Sequence, residues 1–364
     1  MRKLRVLRLE GGAVARGEAH GEAFAAAIRA YAEERVHLAA AGAWSGRPVP
    51  VEEVLGLARR MLPAHEAYDP GLYAEMCAMA RAAGISAEEA VIVGGFTDFV
   101  DAARATSGGS GGVEEDDCTS VLAPPVRTGG LGELFAQTWD MHDSATEHVV
   151  LFDLRPEEGP PALVFSTVGC LGQIGVNAAG ITVGINNLVC TDGRVGVTWN
   201  FPVRQALGQS TLAGAEASVA GAKLAGGHAY LLADAEGGLI LEHSARLGVR
   251  FESSRANAFP VLVHTNHCVA PETRVHEAKR DAGLLASSRD RLRTAEEALA
   301  TGNIDVDRLK SLMAEPTCIC RHGGPPSHIE TSGAIVVRPA TRELWATWGP
   351  PDTHPWERFR VGDG

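Results

Sequence analysis

The hydrophobic pattern changes period near residue 105, and that break restricts the folds open to the chain. Before it, Phe24, Ala27, Ile28, Tyr31 and Leu38 keep helical spacing in an Ala- and Glu-rich stretch. Val51, Val54, Leu55, Ala58 and Leu62 repeat the pattern up to Pro63. Asp69-Pro70 supplies a cap and a first-turn proline for a third helix, and Ser86-Ala-Glu-Glu89 a capping box for a fourth. After Cys118 the pattern turns to strands, at 120–123, 133–139, 148–154, 162–167 and 180–186. Runs at 230–233 and 239–242 flank Glu236-Gly-Gly238 as a hairpin. A strand follows at 261–265, and a last hairpin joins 334–337 to 343–347 around Arg338-Pro-Ala-Thr341. Helices are expected at 202–209, 212–224 and 276–299. Strands grouped in runs favour antiparallel sheets in an α+β fold over a doubly wound one.

The two halves meet at Ser107-Gly-Gly-Ser-Gly-Gly112, followed by Glu114, Glu115, Asp116 and Asp117. On composition alone this is an interdomain linker. Its junction with Cys118 has chemical meaning, however. A thiol at the mouth of a strand, behind a pliant loop, is placed to attack the carbonyl of the preceding residue. That N-to-S shift followed by hydrolysis would leave Cys118 as a new N-terminus. Its α-amino group, with a reference pKa of about 8, would then accept the thiol proton. The competing reading of Cys118 is a small buried apolar residue.

Composition narrows the rest. The 364 residues carry a net charge of -12, from 33 basic and 45 acidic side chains, with no basic stretch to neutralise phosphates. No nucleic-acid partner is expected. Arg5 and Arg8 interrupt the apolar residues after the basic start, so no signal peptide is read there. No run approaches the roughly 18–20 apolar residues that cross a bilayer. The expectation is a cytoplasmic protein with no membrane partner. Seven cysteines, an odd number in a long chain, argue against a disulfide framework. Cys318-Ile-Cys320 lacks a second close pair, His267-Cys268 being the partner to suggest, so no metal is expected. No Walker-type phosphate loop occurs and no cofactor is expected.

Six motifs run in order along nearly the whole chain: Arg16-Gly-Glu-Ala-His-Gly21, Cys118-Thr-Ser120, Gln137-Thr-Trp-Asp140, Gly175-Val-Asn-Ala-Ala-Gly-Ile-Thr-Val-Gly-Ile-Asn-Asn187, Val263-His-Thr-Asn-His-Cys268 and Ile319-Cys-Arg321. In this order they resemble the acyl-coenzyme A:isopenicillin N acyltransferase family of self-processing, cysteine N-terminal-nucleophile hydrolases. Penicillin V acylases and bile salt hydrolases are more distantly similar. The resemblance implies a four-layer αββα fold. It implies cleavage between Asp117 and Cys118, with 1–117 kept as a helical pro-segment or small subunit and 118–364 as the catalytic subunit. The resulting heterodimer is free to assemble further.

The implied activity is cleavage of a small-molecule amide through a thioester on Cys118. Asn266 matches the oxyanion-hole asparagine, with Asn186 as a second polar group near the thiol. Asp140 would hold the new α-amino group or the substrate, and Arg321 would place a cation near the nucleophile. Ser244, Trp139 and Thr138 fall at substrate-binding positions. His264 and His267 read as structural: on a continuing strand 264, 266 and 268 share a face and 267 points away. The sequence departs from the pattern at Asp117, where the fungal enzymes carry glycine, and at Thr138, where the family has asparagine. Gln137 replaces the arginine of bile salt hydrolases, so bile-acid or penicillin V specificity is not supported. Two alternatives stay open: acyl transfer from a coenzyme A thioester, for whose phosphates no basic cluster is evident, and a non-catalytic protein with 105–117 as an uncut linker.

Overall fold

The computed structural model describes residues 3–42, 47–107, 118–252, 261–325 and 328–363. The Asp117–Cys118 bond and the Gly-rich acidic stretch before it lie outside the described residues. The chain opens with β1 (Val6–Gly11) and α1 (Ala13–Ala41), α2 (Val51–Tyr68), α3 (Pro70–Ala83), α4 (Ala87–Gly94) and α5 (Phe96–Ser107). Then come β2 (Thr119–Ala123), β3 (Leu134–His142), β4 (Val149–Pro156), β5 (Ala162–Thr167), β6 (Ile174–Asn177), β7 (Thr182–Leu188), α6 (Asn200–Leu207) and α7 (Leu212–Ala220). β8 (Gly227–Ala233), β9 (Gly238–His243), β10 (Gly248–Glu252), β11 (Leu262–His264), α8 (Pro271–Arg274), α9 (Ala282–Leu299), α10 (Val306–Met313), β12 (Ile329–Arg338), β13 (Glu343–Ala346) and β14 (Glu357–Arg360) complete it.

These strands make two sheets, β1-β4-β5-β6-β7-β8-β9-β10 and β11-β2-β3-β12-β13-β14. The sheets lie face to face and very close. A Cβ on Gly184 of β7 would sit 2.3 Å from the Phe135 ring of β3, and one on Gly333 of β12 would sit 2.5 Å from the Phe165 ring of β5. Strand alternation sorts the outer faces. On β2, Leu122 joins the inter-sheet core, whereas Val121 and Ala123 pack with Leu299, Leu309 and Met313 of α9 and α10. Helices from the first half of the chain, with α6 and α7, cover the other sheet. The result is helix, sheet, sheet, helix: an α+β fold of four layers.

The caps expected for α3 and α4 form: the Asp69 side chain accepts from Leu72 N, and Ser86 and Glu89 make the capping box. Arg16-Gly-Glu-Ala-His-Gly21 serves packing. A Cβ on Gly17 or Gly21 would fall 2.2 Å from Glu75 O or 2.4 Å from Met79 O, so only glycine lets α1 cross α3 this closely. Arg16 Nη2 (2.6 Å) and Arg204 Nη1 (2.9 Å) clamp the buried Glu75 carboxylate. Burial opposes that charge, but the two arginines outweigh it and hold the carboxyl below its usual range.

Several expectations need correction. The first segment is not wholly helical: β1 pairs in parallel with β4, Val6 opposite Leu151. Pro63 does not end α2, which continues to Tyr68, because the ring sits on the exposed face, where the freed carbonyl reaches water. The helix expected from 276 starts at Ala282. Glu277 bridges to Cys190, and Asp281 caps the helix by accepting from Gly283 N. The edge strands β10 and β14 lacked a sequence signal.

Candidate active site

Cys118 sits one residue before β2, buried, where β2 begins and β3 ends. The ends of β5 and β7 and the start of β8 reach the same place. Strand alternation turns its thiol toward a small cavity of about 30 Å³ between the two sheets and the first-half helices. Trp139 and Met141 of β3, Ile185 and Asn187 of β7, and Phe96 of α5 are among its walls. The thiol donates to the Asp140 backbone carbonyl over 4.0 Å.

The carbonyl of Cys118 accepts from Arg291 Nη1, on α9. The same guanidinium bonds Thr119 Oγ1 (3.1 Å) and, through Nη2, Asn266 Oδ1 (3.1 Å). Asn266 also donates its backbone N–H to Ser288 Oγ (3.0 Å) and Nδ2 to Asn187 O (3.1 Å). Ser288 and Arg291 lie one helical turn apart and so fix both ends of Asn266. An amide nitrogen carries two N–H donors, so Nδ2 keeps capacity for a second acceptor.

The loop that presents Asn266 is organised by buried Glu242 on β9. Its carboxylate accepts from Val269 N (2.8 Å), Ala270 N (3.0 Å) and Thr273 Oγ1, and meets His264 Nε2 at 2.7 Å. Burial opposes the Glu242 charge, yet His264 and these donors hold its carboxyl below the usual range. Burial, aided by His264 and nearby arginines, pushes His267 down to about 4, so it is a neutral partner of Ser288 Oγ at 2.8 Å. Both histidines have structural partners, although β11 ends at His264 instead of continuing to 268.

The remaining candidates divide. Trp139 lines the cavity. Asp140 and Thr138, being even-numbered on β3, share the face of Ala136, which packs toward α9 and α10. Thr138 Oγ1 accepts from Thr119 N at 3.1 Å, which fixes the start of β2 and keeps Thr138 off the cavity. Asn186 stitches the sheets together. Its Oδ1 accepts from Ser120 Oγ and its Nδ2 donates to His264 O. The next residue, Asn187, points the other way and lines the cavity. Ser244 is not at the cavity: it anchors the β9–β10 turn, donating to Asp192 Oδ2 at 2.7 Å. Arg321 does not line the cavity either. Its main-chain N–H donates to Thr331 Oγ1 and its Nη1 to Ser287 Oγ, beside a surface hollow shared with Cys318, Cys320 and His322. The arginine bonded to the Cys118 carbonyl is Arg291, which sequence reasoning missed.

All seven cysteines are free. Cys320 does not meet His267 or Cys268. It donates to Asp352 Oδ1 (3.3 Å), whose other oxygen meets His322 Nε2 (2.8 Å), and these three are the described residues grouped tightly enough to hold a metal ion. Burial and Asp352 push the Cys320 thiol up to about 12, with a further contribution from Asp140.

The family model for acyl-coenzyme A:6-aminopenicillanic acid acyl-transferase matches residues 127–353, more than half of the chain. The chain belongs to this family. The match spans Asp140, Asn186, Asn266 and Arg321 and begins downstream of Cys118. A curated relative, the acyl-coenzyme A:6-aminopenicillanic-acid-acyltransferase 40 kDa form of Emericella nidulans, is 26% identical over 203 residues, covering 55% of this chain and 52% of the relative. The chain thus matches about half the length of that protein. Among solved structures, penicillin V acylase from Agrobacterium tumefaciens aligns at TM-score 0.43 and 13% identity, over 64% of this chain and 83% of its own. A conjugated bile acid hydrolase mutant from Clostridium perfringens aligns at TM-score 0.45 and 10% identity, over 67% and 92%.

Proposed function

We propose that this chain is an enzyme precursor that cuts itself between Asp117 and Cys118 and then uses Cys118 to cleave small-molecule amides through a thioester. The observation that carries this reading is the placement of the Cys118 thiol at a strand mouth, facing a cavity, with the Cys118 carbonyl joined through Arg291 to Asn266, which Ser288 also holds. In processing, Sγ attacks the Asp117 carbonyl carbon, the C–N bond breaks, and the thiol proton passes to the departing amine. Water then splits the thioester, leaving an Asp117 carboxylate and the Cys118 thiol with a free α-amino group as its base. In turnover the same thiol takes the acyl part of the substrate, and water releases it. Asn266 Nδ2, with its second N–H, is the side-chain donor we assign to the developing oxyanion. Asp140 and Arg321, on the far side of the β2–β3 sheet, remain proposed partners of the new α-amino group and of anionic intermediates.

Family membership supports a second reading, acyl transfer from a coenzyme A thioester to an amine, because both reactions share the acyl-Cys118 intermediate. We favour hydrolysis and a cytoplasmic setting. The seven free cysteines fit that setting, and no described helix is long and apolar enough to cross a membrane.

Intact mass spectrometry of the purified protein tests the first claim. Fragments of 117 and 364 − 117 = 247 residues are expected, the larger led by cysteine, with Cys118→Ala remaining a single chain without turnover. A wild-type protein that stays uncut would support the linker reading. Acyl adducts of Cys118 formed from amides or from acyl-coenzyme A would then separate hydrolase from transferase.

A further inference from the structure

Arg35, on α1, is one of the largest fully buried side chains in the molecule and lines the Cys118 cavity. Its Nη2 donates to Tyr31 OH at 2.9 Å and its Nη1 touches Met141 Sδ at 3.9 Å. The guanidinium lies 4.6 Å from the Tyr31 ring centroid and 5.1 Å from that of Phe96. Its Nε is buried with no hydrogen-bond partner. Among the described residues no carboxylate pairs with it, whereas buried Arg16, Arg104 and Arg204 each meet one. Removing a guanidinium from water without an anion is costly. Aromatic faces recover only part of that cost.

The rest of the cavity is built to take a ligand. Tyr31, Phe96, Trp139 and Trp199 give it aromatic walls. Two further buried groups in the lining have no partner, Trp199 Nε1 as a donor and Gln173 Oε1 as an acceptor. One cation among aromatic walls, with the nucleophilic thiol lining the same space, describes a site for an amphipathic anion. At about 30 Å³ the cavity holds little more than a water, so side chains must part when a ligand enters. Met141, a flexible thioether and the weakest of the Arg35 partners, is the one suited to yield.

We propose that Arg35 selects amides bearing a carboxylate together with an apolar portion, so that a residue of the segment preceding Cys118 sets specificity. This rests on the reading of Cys118 as nucleophile. The planar guanidinium would take the carboxylate in a forked pair and the aromatic walls the apolar portion.

The test uses the purified mature protein and matched amides. N-phenylacetylglycine against its glycinamide analogue places the carboxylate on the amine side. Glutaryl-4-nitroanilide against its ω-amide places it on the acyl side. The carboxylate member of at least one pair is expected to have the higher kcat/KM, on the order of 10- to 100-fold and mainly through KM. Arg35→Gln and Arg35→Met should collapse that preference, and Arg35→Lys should keep part of it; melting temperatures show whether each variant folds. In parallel, calorimetry on Cys118→Ala compares phenylacetate and glutarate with their neutral amides. Carboxylate binding that depends on Arg35 without any turnover in wild type would sink the nucleophile reading alone. Equal handling of charged and neutral members, or a preference that survives in Arg35→Gln, overturns the selection proposed here.

Discussion

Asn266 and Asn186 are the same residue type, both fully buried, and their partners give them different work. Asn266 is gripped by Arg291 and Ser288 and reaches Asn187 O, near the end of β7. Asn186 links Ser120 to His264 between the sheets. Asn266→Ala should therefore lower kcat by roughly 10²–10³-fold with a smaller change in KM. Asn186→Ala should act mainly on stability, by about 1–3 kcal/mol for the buried Ser120 hydroxyl left unpaired. Steady-state kinetics together with urea unfolding of both variants would show the split, and an Asn266→Ala enzyme with wild-type kcat would remove it from the oxyanion role. Motifs made Asn266 legible. Arg291 and Arg35 were not, because nothing local separates Arg291 from Arg289 and Arg293, or Arg35 from Arg29. Their burial arises only when α9 docks on the sheet and α1 on the cavity.

At the scale of elements, strong local signals were reliable. The Asp69 and Ser86 caps start α3 and α4 where capping chemistry places them, and alternation located most inner strands. The misses were elements defined by a distant partner. β1, β10 and β14 are edge strands that exist by pairing with β4, β9 and β13. The start of α9 was displaced by the Cys190–Glu277 bridge. The β8–β9 hairpin hides another such dependence. It packs on the entry to β3, where Glu133 donates its N–H to Ala235 O and its carboxylate oxygens are buried without partners. Burial, helped by Asp234, pushes Glu133 up to about 8. Between about 4.5 and 8 the folded protein keeps a proton that the unfolded chain releases, so this group makes stability fall as pH rises through that window. Glu133→Gln should remove that contribution, gaining about 2–4 kcal/mol over wild type near pH 9 and little near pH 4. Urea unfolding across the range checks it, and parallel curves would contradict the buried-proton account.

Over the whole molecule, the segment before Cys118 is part of the core. β1 completes an edge of the first sheet, and Arg16 and Arg204 share Glu75 across the proposed cut. Asp98 accepts from Trp199 N, and Asp101 from Cys190 N and Gly227 N. After processing, fragments 1–117 and 118–364 should co-elute as one species in size-exclusion chromatography and part only in denaturant. A small fragment eluting alone would refute its role as a retained subunit. The sequence by itself determined the fold class and the ordered motifs, because strand and helix periods and caps are local facts about the chain. Only the tertiary structure decided that Asn187 and not Asn186 faces the cavity, that Arg291 bonds the Cys118 carbonyl, and that no carboxylate among the described residues pairs with buried Arg35. Those outcomes depend on how two sheets and their helices pack, and packing brings together residues that no local pattern relates.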